Sequence, residues 1–345
     1  LDACKEILEL VGGASRDDLF ICGMSGGSSA LMSYPVEGLS LQDEIDTTNV
    51  LLKSGAGIAE INAVRRHISR MNGGRLAEKI AEKGAELIGF NISDSVSRRP
   101  TGDISVPCPD FTATPMGPDP TTLADAVKAI KKYGLEKRIP ERVLAYLEKG
   151  GPVRETPKAF PQNTYYQINT LPDSCVYAKE AAASMGLNAV LLSTFIECEA
   201  KDAGGMMASI AREVQEYGQP FVAPCVVLSA GEAVTTILDD NEIKGHGGPS
   251  QEMVLGFALA AEKARGACML SIDSEGTDGT TCAAGGITDS QTKKNIESAG
   301  IDPYAALRGH ASFEALSAAG ASVVTGNTGT NICDINILFI PAKNL

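Results

Sequence analysis

Asp18-Leu19-Phe20-Ile21-Cys22-Gly23-Met24-Ser25-Gly26-Gly27-Ser28-Ser29-Ala30 decides the fold class. The apolar run from Asp18 to Gly23 has strand character and leads straight into a glycine-rich turn, after which a short helical stretch runs until Pro35. Strand, tight turn and helix make the repeating unit of α/β domains. The same rhythm continues downstream. Strands are expected at Glu86 to Ile92, Ala189 to Phe195, Phe221 to Ser229, Cys268 to Asp273 and Ile335 to Ile340. Helical periodicity fills Ile58 to Met71, Leu76 to Lys83, Thr122 to Tyr133, Glu141 to Leu147, Lys201 to Tyr217 and Gln251 to Ala264. The alternation predicts an α/β chain with substantially parallel pairing. Thr121-Thr122 with Asp125 marks one helix start, and Gly134 marks its end. Two stretches break the rhythm: the proline-rich Ser97 to Pro120, read as a lid or site wall, and Gly150 to Pro172, read as a surface crossing. Tyr217-Gly218-Gln219-Pro220 closes a helix and opens a strand, which places a domain boundary between 218 and 219.

The 345 residues are 43% hydrophobic and 21% charged, a globular composition with enough length for two cores. Thirty basic against 43 acidic side chains leave a net charge of −13, which opposes nucleic acid and anionic membranes as partners. No apolar run approaches the ~20 residues of a bilayer-spanning helix. Leu1 to Leu10 reads as an amphipathic helix, so the chain is expected to open inside a fold and not with a targeting segment. Nine scattered cysteines, set in apolar runs such as Cys225-Val226-Val227-Leu228, have the character of reduced core thiols and fit a cytoplasmic protein. With no Cys-x-x-Cys pair, and with His67, His246 and His310 never at i, i+4, a zinc or haem site is not expected.

Three glycine-bearing bends carry the functional signal. Ser25-Gly26-Gly27-Ser28 follows a strand, Gly245-His246-Gly247-Gly248-Pro249 leads into a helix, and Thr325-Gly326-Asn327-Thr328-Gly329-Thr330-Asn331 precedes the last strand. Converging backbone N–H groups in such bends suit phosphate or carboxylate, although a tight turn without a ligand has the same appearance. Neither the Walker A sequence nor the Gly-x-Gly-x-x-Gly dinucleotide spacing is present. His246 alone carries no assigned role. On the helix from Ile58, residues Asn62, Arg65, Arg66 and Ser69 fall on one side and Ile58, Ile61, Val64 and Ile68 on the buried stripe. Arg65 would grip a carboxylate or phosphate if that polar side borders a cleft, and is otherwise a solvated cation. Glu275 and Asp278, in Asp273-Ser274-Glu275-Gly276-Thr277-Asp278-Gly279, could hold Mg²⁺ or simply form an Asx-type turn. Asp94, Glu197 and Glu199 lie at similar strand ends.

Taken in order, these motifs resemble the glycerate 2-kinase family, whose C-terminal part is the MOFRL domain. The resemblance runs over residues 19–95 and 115–345 and is carried by Ser25-Gly26-Gly27 with Ser29-Ala30-Leu31, Ser54-Gly55-Ala56 with Glu60, Asn62, Val64 and Arg65, and Gly73-Gly74-Arg75-Leu76-Ala77. Asp119-Pro120-Thr121-Thr122, Glu155-Thr156-Pro157-Lys158, Glu197 with Glu199-Ala200, Gly247-Gly248 with Gln251-Glu252, Asp278-Gly279 and Thr328-Gly329-Thr330-Asn331 complete it. It implies two α/β domains: a Rossmann-like three-layer sandwich over 1–218, incomplete at its start, and a MOFRL domain with a mixed sheet over 219–345. It further implies a kinase that moves the γ-phosphoryl group of ATP, with Mg²⁺, to the 2-hydroxyl of D-glycerate or a similar small hydroxy acid in a cleft between the domains. On that reading Arg65 stabilises anionic charge and Asp278 serves as metal ligand or base, with Glu275 as a second metal ligand. Ser25, Gly26, Gly27, Ser28, Gly247, Gly248, Thr328, Gly329 and Asn331 would bind nucleotide phosphate. Asn62, Arg65 and Asp94 would bind substrate, and the protein would be cytoplasmic and a homodimer. The chain departs from the family pattern at Pro249, where arginine is usual, at Cys282 in place of aspartate and at Asn327 in place of proline. Upstream residues with a lysine-bearing turn also have no counterpart here. A hydroxypyruvate reductase using NAD(P)H and a catalytically inactive sugar-acid binder are the alternative readings.

Overall fold

The structure is a computed structural model that describes residues 1–92, 96, 115–149, 155–237 and 240–342. The chain forms two compact units, one of Leu1–Asn91 with Pro100–Ile168 and the other of Ile92–Arg99 with Asn169–Leu345. The first unit contains α1 (Asp2–Gly12), β1 (Leu19–Met24), α2 (Ser28–Leu31), α3 (Leu41–Leu52), α4 (Ile58–His67), α5 (Arg75–Glu82), β2 (Glu86–Ile92), α6 (Leu123–Lys132), α7 (Glu141–Lys149) and β3 (Thr164–Asn169). Its sheet has the order β1-β2-β3, and β1 and β2 run parallel from Leu19↔Glu86 to Met24↔Asn91. Leu76, Ala77 and Ile80 of α5 pack with Cys4 and Val11 of α1 against Met24, Leu87 and Tyr165. A second, helical core joins Ile61, Val64 and Ile68 to Ala126, Ile130, Leu135 and Val143. Ile58, expected in the buried stripe, is 67% exposed because it begins α4, before the helix meets its neighbours.

Helix starts follow capping chemistry. Thr122 and Asp125 form a reciprocal capping box at α6, as their spacing predicts, and Ser40 with Asp43 does the same at α3.

The second unit holds α8 (Leu171–Ser184), β4 (Asn188–Ile196), α9 (Ala200–Tyr217), β5 (Cys225–Gly231), α10 (Pro249–Ala260), β6 (Cys268–Asp273), β7 (Gly285–Asp289), α11 (Thr292–Ser298), α12 (Pro303–Arg308), α13 (Ser312–Ala318), β8 (Ser322–Val323) and β9 (Asp334–Ile340). Its sheet is mixed, in the order β4-β5-β9-β6-β7-β8. Only β4 and β5 pair in parallel there; β5/β9, β9/β6, β6/β7 and β7/β8 are antiparallel, so the expectation of mainly parallel pairing holds for the first unit and not for this one. Because β4 pairs with β5, residues 169–218 join this unit, and the division does not coincide with the 218/219 boundary expected from the sequence.

Helix α10 sits at the centre and is buried from Ser250 to Ala258. It lies so close to α9 that backbone meets backbone: a Cβ on Gly204 would stand 2.0 Å from Met253 O, and one on Gly256 would stand 2.4 Å from Lys201 O. The described cysteines are free thiols, and among the described residues no helix is long and apolar enough to cross a membrane. Gly204→Ala should lower the unfolding free energy in urea titrations by about 3 kcal/mol, since no flexible side chain can yield to the added methyl. Gly205→Ala, which meets nothing within 4 Å, should instead be neutral or stabilising by about 1 kcal/mol.

Candidate functional site

In the first unit β1 ends at Met24, and Gly27 adopts φ 77°, the left-handed backbone that lets the chain turn into α2. Ser25 N–H donates to Ser28 Oγ at 3.4 Å, and that hydroxyl donates back to Ser25 O, so the turn closes on itself. The N–H groups of Gly26 and Gly27 make no hydrogen bond among the described residues, leaving two donors at the carboxyl end of a parallel strand. Helix α4 delivers a cation to the same place. Arg65 donates from Nη2 to Ser29 O at 3.4 Å and from Nη1 to Asn62 Oδ1 at 3.3 Å, while Asn72 Nδ2 reaches Ser29 O at 3.0 Å. The turn, Asn62 and Arg65 are therefore neighbours. Burial lowers the Arg65 pKa from its ordinary value, with Glu44 opposing and Arg66 adding to the shift. An arginine starts high enough to stay cationic through this. Glu44, itself buried and pushed up by desolvation, was not singled out in the sequence. Asp94 lies outside the described residues.

Other motif residues of this unit form its frame. Arg66 Nη1 donates to the buried Asp119 at 3.0 Å, and Asp119 also accepts from Thr121 N–H at 2.9 Å and Thr156 Oγ1 at 2.9 Å. His67 is enclosed, with Nδ1 2.7 Å from Ala63 O and Nε2 2.7 Å from Glu155 Oε1. Burial would raise the Glu155 carboxyl, but Leu123 N–H, His67 and Thr156 N–H hold it at about 2. Gly73, at φ 69°, fits between Arg66 and Thr156, where a Cβ would approach each at 3.0 Å.

In the second unit the Gly245–Gly248 turn and the acidic loop interlock. Asp278 is buried and accepts from Ser250 N–H at 3.2 Å, Gln251 N–H at 2.8 Å and Gln251 Nε2 at 2.9 Å, capping α10 from a distant loop. A Cβ on Gly248 would lie 2.3 Å from Asp278 Oδ1, and one on Gly279, at φ 61°, would lie 2.0 Å from Gly247 O. Only glycine allows this approach. The N–H groups of Gly247 and Gly248 make no hydrogen bond among the described residues, so this turn too presents donors. Behind it stands Asp334, in register with Gly231 on β5 and Asp273 on β6, accepting from Ser250 Oγ and Ala233 N–H, each at 3.3 Å. Desolvation, with Asp278 and Asp273 nearby, raises Asp334 to about 8, and desolvation raises Asp278 to about 6. Asp334 escaped the sequence reading, although a lone acid heading an apolar strand was the available signal.

The third bend behaves differently. Thr328 N–H donates to Glu275 O at 3.2 Å, Gly329 N–H to Asn327 Oδ1 at 2.8 Å and Thr330 N–H to Thr328 Oγ1 at 3.4 Å. Those donors are used inside the loop, and Asn331 Nδ2 goes to Glu275 Oε2 at 3.3 Å. Thr328, Gly329 and Asn331 thus brace the acidic loop. Asp278 is already engaged at the head of α10, with N–H donors on both of its oxygens. As a magnesium ligand Glu275 fits better: it is exposed, and among the described residues its carboxylate accepts from Thr277 Oγ1 and Asn331 Nδ2, which a hydrated cation could displace. Among the described residues no three His, Cys, Asp or Glu side chains are grouped to hold a metal ion.

Comparison with known proteins agrees along the chain. Residues 1–148 match the family model described as a domain of unknown function (DUF4147), and residues 225–334 match that of the MOFRL family. The chain is 40% identical over 345 residues to the glycerate 2-kinase of Pyrococcus horikoshii, an alignment covering 98% of this chain and 74% of that protein. The crystal structure of the glycerate kinase of Thermotoga maritima superposes with a TM-score of 0.84 at 36% identity, over 98% of this chain and 77% of that one. A protein of Agrobacterium vitis named putative hydroxypyruvate reductase is 36% identical over 341 residues, 99% of this chain and 74% of its own length.

The two raised carboxyls give a pH signature. The folded protein keeps protons on Asp278 and Asp334 that the unfolded chain releases near pH 4, so stability from this source is complete below about pH 4 and declines up to about pH 8. Asp334→Asn should therefore melt progressively higher than the parent protein as pH rises from 5 to 9 in scanning calorimetry. A melting-temperature difference that stays constant over that range would contradict the assignment.

Proposed function

Because the chain belongs to the glycerate 2-kinase family, we propose that it is an ATP-dependent kinase that phosphorylates D-glycerate at the 2-hydroxyl, giving 2-phosphoglycerate and ADP. The observation that carries this is likeness over nearly the whole chain, 98% of it, to a glycerate 2-kinase and to a glycerate kinase of known structure. The site chemistry supports it. Each of two glycine turns has N–H donors unused among the described residues and suited to phosphate oxygens, and Arg65 beside the first turn suits an anion with two or three oxygens.

In the transfer the 2-hydroxyl oxygen bonds to the γ-phosphorus, the bond from that phosphorus to the β–γ bridging oxygen breaks, ADP departs with the electron pair and the hydroxyl proton passes to solvent. Little covalent work falls to the protein, so orientation and charge stabilisation dominate. Arg65 is held by Asn62 and Ser29 O, leaving part of its guanidinium fork for the substrate carboxylate or the transferring oxygens. The Gly26 and Gly27 amides beside Arg65 supply fixed dipoles that need no reorganisation as charge moves, and the Gly247 and Gly248 amides are by themselves a cradle suited to a phosphate group. Asp278 acts by holding the head of α10 and the Gly247-Gly248 turn in place. Mg²⁺ carried by the nucleotide would neutralise phosphate charge, with Glu275 as the side chain placed to meet it. On this reading Asp94 is a further substrate contact and the protein works in the cytoplasm. Against the reductase reading, the turn after β1 lacks the dinucleotide glycine spacing.

Phosphorus NMR of the protein with ATP, Mg²⁺ and D-glycerate should show 2-phosphoglycerate and ADP accumulating together, and ATP left intact would refute the kinase reading. Arg65→Ala should reduce kcat by about 10²-fold or more while circular dichroism stays unchanged. Parent-like turnover in that variant would remove Arg65 from the site.

A further inference from the structure

Besides the acidic loop, the Gly245–Gly248 turn is fastened to a second segment, residues 309–314. Lys244 N–H donates to Gly309 O at 2.7 Å, Phe313 N–H to His246 O at 2.9 Å, and His246 N–H to the Glu314 carboxylate at 3.0 Å. Nothing lies between them: a Cβ on Gly245 would be 2.5 Å from Ala311 Cβ, and one on Gly247 would be 2.2 Å from Ser312 Oγ. Any shift of 309–314 is therefore passed directly to the turn.

His310 fixes that segment. Its φ of 52° lies in the left-handed region, which is uncommon for residues other than glycine and which His enters more readily than most. The ring is drawn inward, with Nδ1 2.8 Å from Glu252 Oε1, and the two side chains are 11% and 1% exposed. Burial raises the Glu252 pKa and the His310 contact opposes the rise. Glu252 Oε2 is buried without a hydrogen-bond partner, so among the described residues this contact is the carboxylate's one hydrogen bond. Lys201, the nearby cation, is engaged with Glu199 at 3.1 Å. Glu252 belongs to the first turn of α10, the helix that Gly248 begins. One buried contact thus spans from the head of α10 to residue 310, and the glycine turn is held between its ends.

We propose that His310 and Glu252 are a positioning pair for the Gly245–Gly248 turn, setting the Gly247 and Gly248 amides to receive a phosphate group of bound ATP. This rests on the reading of that turn as a nucleotide-phosphate cradle. The pair acts through the turn and touches neither substrate. Its loss should weaken ATP and leave glycerate binding alone, a separation that a general loss of stability would not produce.

The test is steady-state kinetics with ATP and D-glycerate varied in turn. His310→Gly accepts the left-handed backbone and removes the ring; His310→Asn accepts the same backbone and restores an N–H donor for Glu252. His310→Gly should raise KM for ATP about tenfold with KM for glycerate within about twofold, and His310→Asn should stay within about threefold of the parent on both. The proposal is overturned if His310→Gly leaves KM for ATP unchanged, raises both KM values alike, or is matched by His310→Asn. Gly247→Ala, which drives a methyl into Ser312, separates the two readings. If it leaves KM for ATP untouched, the cradle itself is refuted, whereas a raised value beside a silent His310→Gly refutes only the positioning pair. Should His310→Gly not fold, the near-isosteric Glu252→Gln takes its place. It keeps an acceptor but loses the charge, and should raise KM for ATP by about two- to fivefold, with an unchanged value overturning the proposal.

Discussion

The contact between Asp278 and the first turn of α10 is the constraint on which the second unit is organised. The first N–H groups of a helix have no partner inside it, and at the head of an enclosed helix they cannot turn to water. Asp278 supplies the acceptors from a loop nearly thirty residues further along the chain. A carboxylate can reach that position only if Gly248 and Gly279 have no side chains, so one electrostatic requirement dictates the glycines on both loops. The same requirement keeps an acidic group out of water, and its charge in turn helps to raise the pKa of Asp334 behind it. What results is a turn whose Gly247 and Gly248 donors make no hydrogen bond among the described residues.

Much of the architecture was legible in the residues. Strands β1, β2, β4, β6 and β9, and helices α4, α6 and α9, fall where apolar period and capping place them. The omissions have physical causes. Strand β3 reads Thr164-Tyr-Tyr-Gln-Ile-Asn169, too polar and too close to prolines to resemble a buried run, and Gly285-Gly286 hides β7. Pro172 was taken for a loop residue, yet it occupies the first turn of α8, where its missing N–H costs nothing. The direction of pairing in the second sheet is invisible to periodicity, because an enclosed strand looks alike whichever way its neighbours run.

Site legibility was of a different kind. Residue type and bend chemistry drew attention to Ser25–Ser28, Asn62 and Arg65, which the structure brings together, and to Gly247-Gly248, whose amides are unbonded among the described residues. Whether an amide is free depends on acceptors distant in sequence, and this is why Thr325–Asn331, so similar in composition, proved to be self-bonded. Asp119, Glu155, Thr156 and Gly73 illustrate the converse. As motif residues they invite a catalytic role, but their partners include Arg66 and His67, through which they brace the helix that carries Arg65.

The glycine seam between α9 and α10 bears on how such a protein changes over generations. Helices that meet through interlocking side chains slide whenever a core residue is exchanged, and anything mounted on their ends drifts with them. Here Gly204 and Gly256 bring main chain against main chain, a spacing that rotamers cannot adjust. The head of α10 therefore keeps its height above the sheet while neighbouring positions vary. Pro249, which needs no acceptor because it has no N–H, could replace another residue at that head and leave the geometry of the bend before it untouched.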